Sequence, residues 1–365
     1  MPLRAWSILA LVLAIASCQV RWPRAVVALA YPADGGIYAA IANSLAGTRP
    51  ATRRIPTLLV DTSEVRQTAD AMVDWAQRVV GMPKVVAVIG PGNSQAALAS
   101  APVYNAAGIP QVVPMVTDRL IQASGPWTFT MAPDDSVEAA FLVRYVARVV
   151  RARRVTLFYD NDAFGQSLRE SLVRECNARG IRVLTQVAVL PSSDFELLLS
   201  AALGAGRPDA LLMATRALEV GTVASLAAGR LPRVPVIAAD GALVPDRLVR
   251  LAGSGLANIR AVAFWVPDTT DPQQQAFIAA ARRVSGHDPD SDVAMTEDAI
   301  ALLSAAIDEV GPDRAAIRNW LRSLGRERPA FAGLTGPISF GPAQAHSLTM
   351  VRVGPDGRIT RDSRQ

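Results

Sequence analysis

Three polar residues stand where an apolar run of this 365-residue chain gives way to a turn or a helix, and each could touch a small ligand. Ser94 closes Gly90-Pro91-Gly92-Asn93-Ser94 behind the run Val85–Ile89, at the start of a predicted helix, where unpaired amides and the helix dipole favour an anion. Thr117, in Pro114-Met115-Val116-Thr117, ends the neighbouring strand and would face the same crevice. Asp240 follows the apolar run 236–239 and precedes Gly241, so a partly buried carboxylate there requires a partner charge. Each has a plainer role open to it: Ser94 as a helix cap, Thr117 as a turn residue, and Asp240 as an Asx-turn bonding its own backbone.

Catalytic chemistry finds no comparable footing. The only histidines, His287 and His346, lie in polar Gly/Pro/Ala-rich stretches, and no His or Glu spacing on a helix suggests zinc. There is no Gly-x-Ser-x-Gly elbow and no Walker-type Gly-Lys-Ser/Thr. Asp134-Asp135 follows Pro133 and reads as a loop at a lobe crossing. Asp160-Asn161-Asp162 lacks the calcium-loop pattern and reads as a solvated turn. The expectation is a protein that binds and does not catalyse, with no metal and no cofactor.

The elements around these residues alternate. Strands are predicted at 24–31, 57–60, 85–89, 111–114, 155–159, 182–189, 210–213 and 236–239, with helices between them. Thr62 or Ser63 would cap a helix carrying Val65, Ala69, Met72, Val73, Ala76 and Val80 along one side. Such alternation means mainly parallel sheets with helices on both faces, and length argues for two lobes. The fold class is therefore α/β: two doubly wound, mainly parallel-sheet lobes, each with a crevice at the carboxyl ends of its strands. No Pro/Ser-rich linker separates them, so several short crossings forming a hinge are expected.

The first eighteen residues speak to compartment. Arg4 precedes an apolar stretch at 6–16, too short to span a bilayer, which ends in Ile15-Ala16-Ser17-Cys18. This resembles a bacterial lipoprotein cleavage box. It implies a signal peptide over 1–17, diacylglycerol on Cys18 and a tether over 18–24. An ordinary secretory signal or an uncleaved anchor is the alternative. Gln19, where inner-membrane retention often has Asp, points weakly to the outer membrane. With Cys18 committed to lipid, Cys176 is left alone, so no intrachain disulfide is expected and Cys176 reads as a buried structural thiol. The 37 basic residues against 32 acidic ones are scattered and almost all arginine, which argues against nucleic acid.

Several segments, in order, resemble the type I periplasmic binding proteins, and among them the leucine/isoleucine/valine-binding components of ABC importers. They are 85–94, 104–111 (Tyr-Asn-Ala-Ala-Gly-Ile-Pro-Gln), 114–117, 159–167 (Tyr-Asp-Asn-Asp-Ala-Phe-Gly-Gln-Ser), Asp194-Phe195, 208–210 and 331–340 (Phe-Ala-Gly-Leu-Thr-Gly-Pro-Ile-Ser-Phe). The resemblance implies two lobes closing on an amino-acid-like ligand. Ser94 and Thr117 would hold its carboxylate. The Met115 carbonyl and Asp240 would hold its ammonium, and Phe164 would form a wall, or else anchor its loop as a core ring. It also implies lobes over 25–134 with 263–325, and 135–262 with 326–361, and a membrane permease as partner for a monomer. The chain departs from the leucine binders at Arg216-Ala217 and near Asp292, where pocket aromatics are lost. Gaining Arg216 and Asp292 points to a more polar ligand, if both face inward. The other reading kept open is an envelope sensor or partner-binding lipoprotein with a degenerate site.

Overall fold

In the computed structural model, residues 25–31, 35–45, 56–60, 68–341 and 347–364 are described. The signal peptide, Cys18 and its tether, His346 and the cap expected at Thr62 or Ser63 lie outside them.

The first sheet is built from β1 (Val26–Leu29), β2 (Thr57–Val60), β3 (Val85–Ile89), β4 (Gln111–Val113) and β5 (Thr128–Thr130). Its order is β2-β1-β3-β4-β5 and every pairing is parallel. Unbroken runs such as Val-Val-Ala-Val-Ile can form β3 because helices cover both sheet faces and all five side chains are buried. Helices α1 (Gly35–Ser44), α2 (Ala69–Val80) and α3 (Ser94–Ala107) supply the crossovers. The cap of α2 among the described residues is Thr68, whose hydroxyl accepts the Ala71 N–H at 3.4 Å. Its buried stripe is Met72, Trp75, Ala76 and Val79, so Val73 and Val80, expected on that stripe, are only its half-buried flanks. A stripe at i, i+3, i+4 and i+7 is the one that a single sheet can cover.

The chain then enters a second layer: α4 (Asp135–Tyr145), β6 (Arg154–Asp160), α5 (Ala163–Ala178), β7 (Arg182–Val189), α6 (Phe195–Gly204), β8 (Ala210–Ala214), α7 (Ala217–Arg230), β9 (Val236–Ala238), α8 (Pro245–Ala252) and β10 (Ile259–Ala263). It returns to the first sheet with α9 (Pro272–Ser285), α10 (Ser291–Val310) and α11 (Arg314–Ser323), followed by the hairpin of β11 (Phe331–Gly333) and β12 (Gly336–Ile338). Finally β13 (Thr349–Val353) and β14 (Ile359–Arg361) join the second sheet, whose order is β14-β13-β10-β9-β8-β6-β7. Only β13 is reversed there, pairing antiparallel with β10 on one side and β14 on the other. The architecture is the two-lobed, mainly parallel α/β fold expected from the alternation.

Specific contacts fix which lobe the late segments serve. The Arg314 guanidinium donates twice to the Val85 carbonyl, at 2.7 and 2.9 Å, fastening α11 to the head of β3. Asp298 on α10 accepts the N–H groups of Leu334 and Thr335, at 2.6 and 2.9 Å, and the Thr335 hydroxyl at 2.6 Å. Phe340 stacks edge-on against Phe129 of β5, with centroids 5.0 Å apart. The hairpin is thus held by the first lobe, although the sequence reading placed 326–340 with the second. Its short strands carry a pattern indistinguishable from that of a returning strand. Cys176 is buried within the second lobe as a free thiol, and burial pushes its pKa up to about 12.

Candidate functional site

A cavity of about 210 Å³ opens between the lobes at the carboxyl ends of both sheets. On the first-lobe side it is lined by Gly92, Asn93, Ser94 and Met115. Asn93 caps α3, its side chain accepting the Ala96 N–H at 2.9 Å, so Ser94 is the first helical residue and is 3% exposed. The turn into this helix leaves β3 through Gly90, whose φ of +91° suits glycine. A Cβ there would meet the Tyr31 ring at 2.7 Å.

On the second-lobe side the wall is Phe164, Arg216, Asp240, Gly241, Leu243 and Val244. Each polar member follows a parallel strand: Arg216 follows β8 and immediately precedes α7, and Asp240 follows β9. Phe164 opens α5, and its ring lies so near Gly241 that a Cβ there would meet Cζ at 3.1 Å. The Arg216 guanidinium sits 5.1 Å from the Phe164 centroid and bridges Asp160 at 2.6 Å and Asp162 at 2.8 Å. The acidic loop 160–162, expected to be a solvated turn, is therefore the seat of that arginine. Burial and the neighbouring Glu219 push Asp160 up to about 7, against the pull of Arg216.

The head of α10 completes the rim. Asp290 caps the helix by accepting the Val293 N–H at 3.1 Å, and Asp292 accepts the Tyr38 hydroxyl at 3.0 Å. The Ser291 hydroxyl is tied to the Trp265 backbone.

Three acids lie at and beneath the floor. Asp135 and Glu138 occupy one face of the first turn of α4 and are both fully buried. Glu138 Oε1 accepts the backbone N–H of Asp240 at 2.9 Å, while its Oε2 and Asp240 Oδ1 find no hydrogen-bond partner among the described residues. Burial pushes Asp135 up to about 7, although the hydroxyls of Ser167 and Thr117 pull it back. Burial raises Glu138 well above the usual carboxyl range, and the nearby Asp240 raises it further. Asp240 is pushed up to about 6, again chiefly by burial.

A family model described as "Periplasmic binding protein" matches residues 36–356. The chain belongs to that family. Its members are solute-binding proteins rather than enzymes, and membership implies an extracytoplasmic location. The chain is 25% identical over 262 residues to an "Amino acid binding protein" of Pseudomonas aeruginosa, covering 68% of this chain and 67% of that protein. It superposes on a leucine-binding protein, LivK, of Thermotoga maritima with a TM-score of 0.80 and 22% identity, over 93% of this chain and 98% of that one. It also superposes on an ABC-transporter solute-binding protein of R. palustris in complex with 4-hydroxybenzoate, with a TM-score of 0.78 and 17% identity, over 93% and 95%.

Of the residues singled out in the sequence, Ser94, Met115, Phe164, Arg216, Asp240 and Asp292 are brought to this one cavity of the binding protein. Thr117 is not on its wall. Strand β4 ends at Val113, and the Thr117 carbonyl accepts the Asp135 N–H at 2.8 Å, drawing the residue into the lobe crossing with 1% exposure. Its hydroxyl approaches Asp135 instead of the cavity. Sequence reasoning missed Asp290, Ser291, Val262 and the acids of α4. Asp134-Asp135 was expected in a loop, but Asp134 caps α4 and Asp135 is its first residue. The signal available was Asp135-x-x-Glu138, two acids three apart on one face of a mainly apolar helix. Among the described residues no group of His, Cys, Asp or Glu is arranged to hold a metal, and no helix is long and apolar enough to cross a membrane.

Proposed function

We propose that this chain is the extracytoplasmic solute-binding component of an ABC importer, capturing an amino acid or a related small polar zwitterion between its lobes. The observation that carries the reading is the opposite polarity of the two cavity faces. Ser94 and the amide-rich head of α3 suit a carboxylate, and Asp240 opposite them suits a cation. The Met115 carbonyl would share the ammonium, Phe164 would pack on the ligand's body, and Arg216 and Asp292 would meet a polar side chain. Thr117 would act at one remove, through Asp135. A ligand gripping both faces favours the closed state by the difference in its affinity for closed and open forms. An aromatic acid like the one bound in the R. palustris protein would bring no cation to Asp240, so the zwitterion is favoured.

In the same reading a membrane permease recognises the closed monomer, and Cys18, lipidated after removal of residues 1–17, tethers the protein through 18–24. The lobes are 25–134 with 263–325, and 135–262 with 341–361, the hairpin region 326–340 being assigned with α10 to the first. Calorimetric titration of the full chain in detergent against amino acids, amides and small carboxylic acids tests the proposal. Ser94→Ala and Asp240→Ala should each weaken binding by ten- to hundredfold, about 1.5–3 kcal/mol for a lost charge-assisted contact. Unchanged affinity in both variants would remove the site assignment. Thermal stabilisation by aliphatic amino acids alone would remove the polar side-chain assignment.

A further inference from the structure

Resting on that reading of the cleft, we infer that Glu138 is a positioning and specificity residue: in the free protein it shares a proton with Asp240, and it yields that proton when an ammonium group docks. The geometry comes first. Asp240 reaches the cavity, while Glu138 lies wholly behind it and holds the Asp240 backbone N–H through Oε1. That leaves Glu138 Oε2 and Asp240 Oδ1 both buried and both without a donor. With Glu138 wholly buried against Asp240, ionising both carboxyls is costly unless a positive charge joins them.

Among the described residues no cation is committed to the pair. On its own helix Glu138 has Asp135 beside it, and Asp118 faces Asp135 from the crossing. From α5 the neutral Ser167 hydroxyl faces Asp135. The cation acting on Asp240 is Arg216, at the head of α7, and its guanidinium is already committed to Asp160 and Asp162 with Glu219 close by. A proton supplies the missing counter-charge in the free protein. Both groups are correspondingly pushed above the usual carboxyl range.

The exchange balances simply. A ligand ammonium takes over the charge of the shared proton, Glu138 and Asp240 become a carboxylate pair facing one cation, and the proton leaves to solvent. Binding is therefore tighter at higher pH, and affinity falls on acidification through the range in which the free pair holds its proton, by at most about tenfold per pH unit for one proton. The same device sets specificity. A neutral or anionic solute brings no charge to replace the proton, whereas a cationic one does.

Two measurements on the full chain in detergent test this. Infrared spectra of the ligand-free protein, recorded from pH 5 to 8, should contain a carboxylic-acid carbonyl band that titrates away and is diminished in Glu138→Gln. Titration calorimetry with the free L-amino acids, near pH 6 in two buffers of different ionisation enthalpy, should show up to one proton released per ligand bound. In Glu138→Gln the amide oxygen still accepts the Asp240 N–H but no proton can be shared, so proton release should fall and the pH slope of Kd should become shallower. Glu138→Ala should lose affinity at every pH. A merely structural Glu138 predicts equal pH slopes in wild type and Glu138→Gln, and that result overturns the inference. Absence of binding by every amino acid would refute the proposed function instead. In that event the infrared arm decides the shared proton alone, and an acid band unaltered by Glu138→Gln overturns it.

Discussion

Helix α4 carries a buried acid site at each end, and the two sites are opposites. At its tail, ten residues or roughly 15 Å along the helix axis from Asp135, the Tyr145 hydroxyl donates to Asp362, which also accepts Arg260 Nε at 3.1 Å and Arg364 Nη2 at 3.3 Å. Asp362 is as buried as Asp135 and Glu138, and burial alone would raise its pKa. The Tyr145 hydroxyl and Arg364 outweigh that and hold it down at about 2. At the head, Asp135 and Glu138 are just as buried and Asp240 is half-buried, with few donors and no cation reserved for them among the described residues, and all three are raised. A buried carboxylate whose lone pairs are all answered fastens β14 to the lobe. Unanswered ones beside a cavity are held ready for something that arrives from outside.

This contrast can be broken or sharpened in four ways. Replacing Asp362 with Asn would leave the buried Arg260 guanidinium without its counter-ion, and should cost about 3–5 kcal/mol of stability. A fall in denaturant midpoint no larger than that of Asp135→Asn would erase the distinction between the two ends. Asp240→Asn should act the other way round. It should weaken ligand binding by about 1.5–3 kcal/mol while leaving the ligand-free protein as stable as before or slightly more so, since a buried acid short of donors has been removed.

The pH dependence of the ligand-free protein should separate the ends as well. Asp135 and Asp240 have folded pKa values raised to about 7 and about 6, so their stabilisation is complete below the unfolded carboxyl pKa and is lost as pH rises through those values. Asp362 is depressed, so its contribution is present above the unfolded pKa and is lost as pH falls toward about 2. Urea midpoints should therefore decline between pH 5 and 7, by about 1.4 kcal/mol per unit at most for each group, and Asp135→Asn should flatten that decline. The smallest effect belongs to the exposed pair His287–Asp246, 3.1 Å apart, which links the α9–α10 turn to α8 across the lobes. Asp246→Asn should change stability by no more than about 1 kcal/mol, and a larger loss would mean that surface pairs help hold the lobes together.

How much of this was legible beforehand depends on whether the cause is local. Apolar runs bounded by Gly and Pro marked β1 and β3, because strands buried on both faces need nothing more than continuous hydrophobicity, and shorter or mixed runs marked the half-buried edge strands β2 and β7. The placing of Ser94 and Asp240 at strand ends followed from the same alternation, since crevices form at the carboxyl ends of parallel strands. Short or late elements, such as β5, the β11–β12 hairpin and the antiparallel β13–β14 edge, were invisible or misassigned. Their partners are distant in sequence, and three to five residues carry too little pattern to name them.

The order of residue types along the chain thus determined two lobes, their mainly parallel sheets and which strand ends would meet at a crevice. Tertiary structure alone decided what each polar group faces there. It turned Thr117 away to Asp135, gave the loop at 160–162 an arginine, and buried Glu138 under Asp240. Side-chain charge is written in the sequence, but its environment is not. The difference between an acid at about 2 and one at about 7 comes from how many donors folding happens to bring within reach.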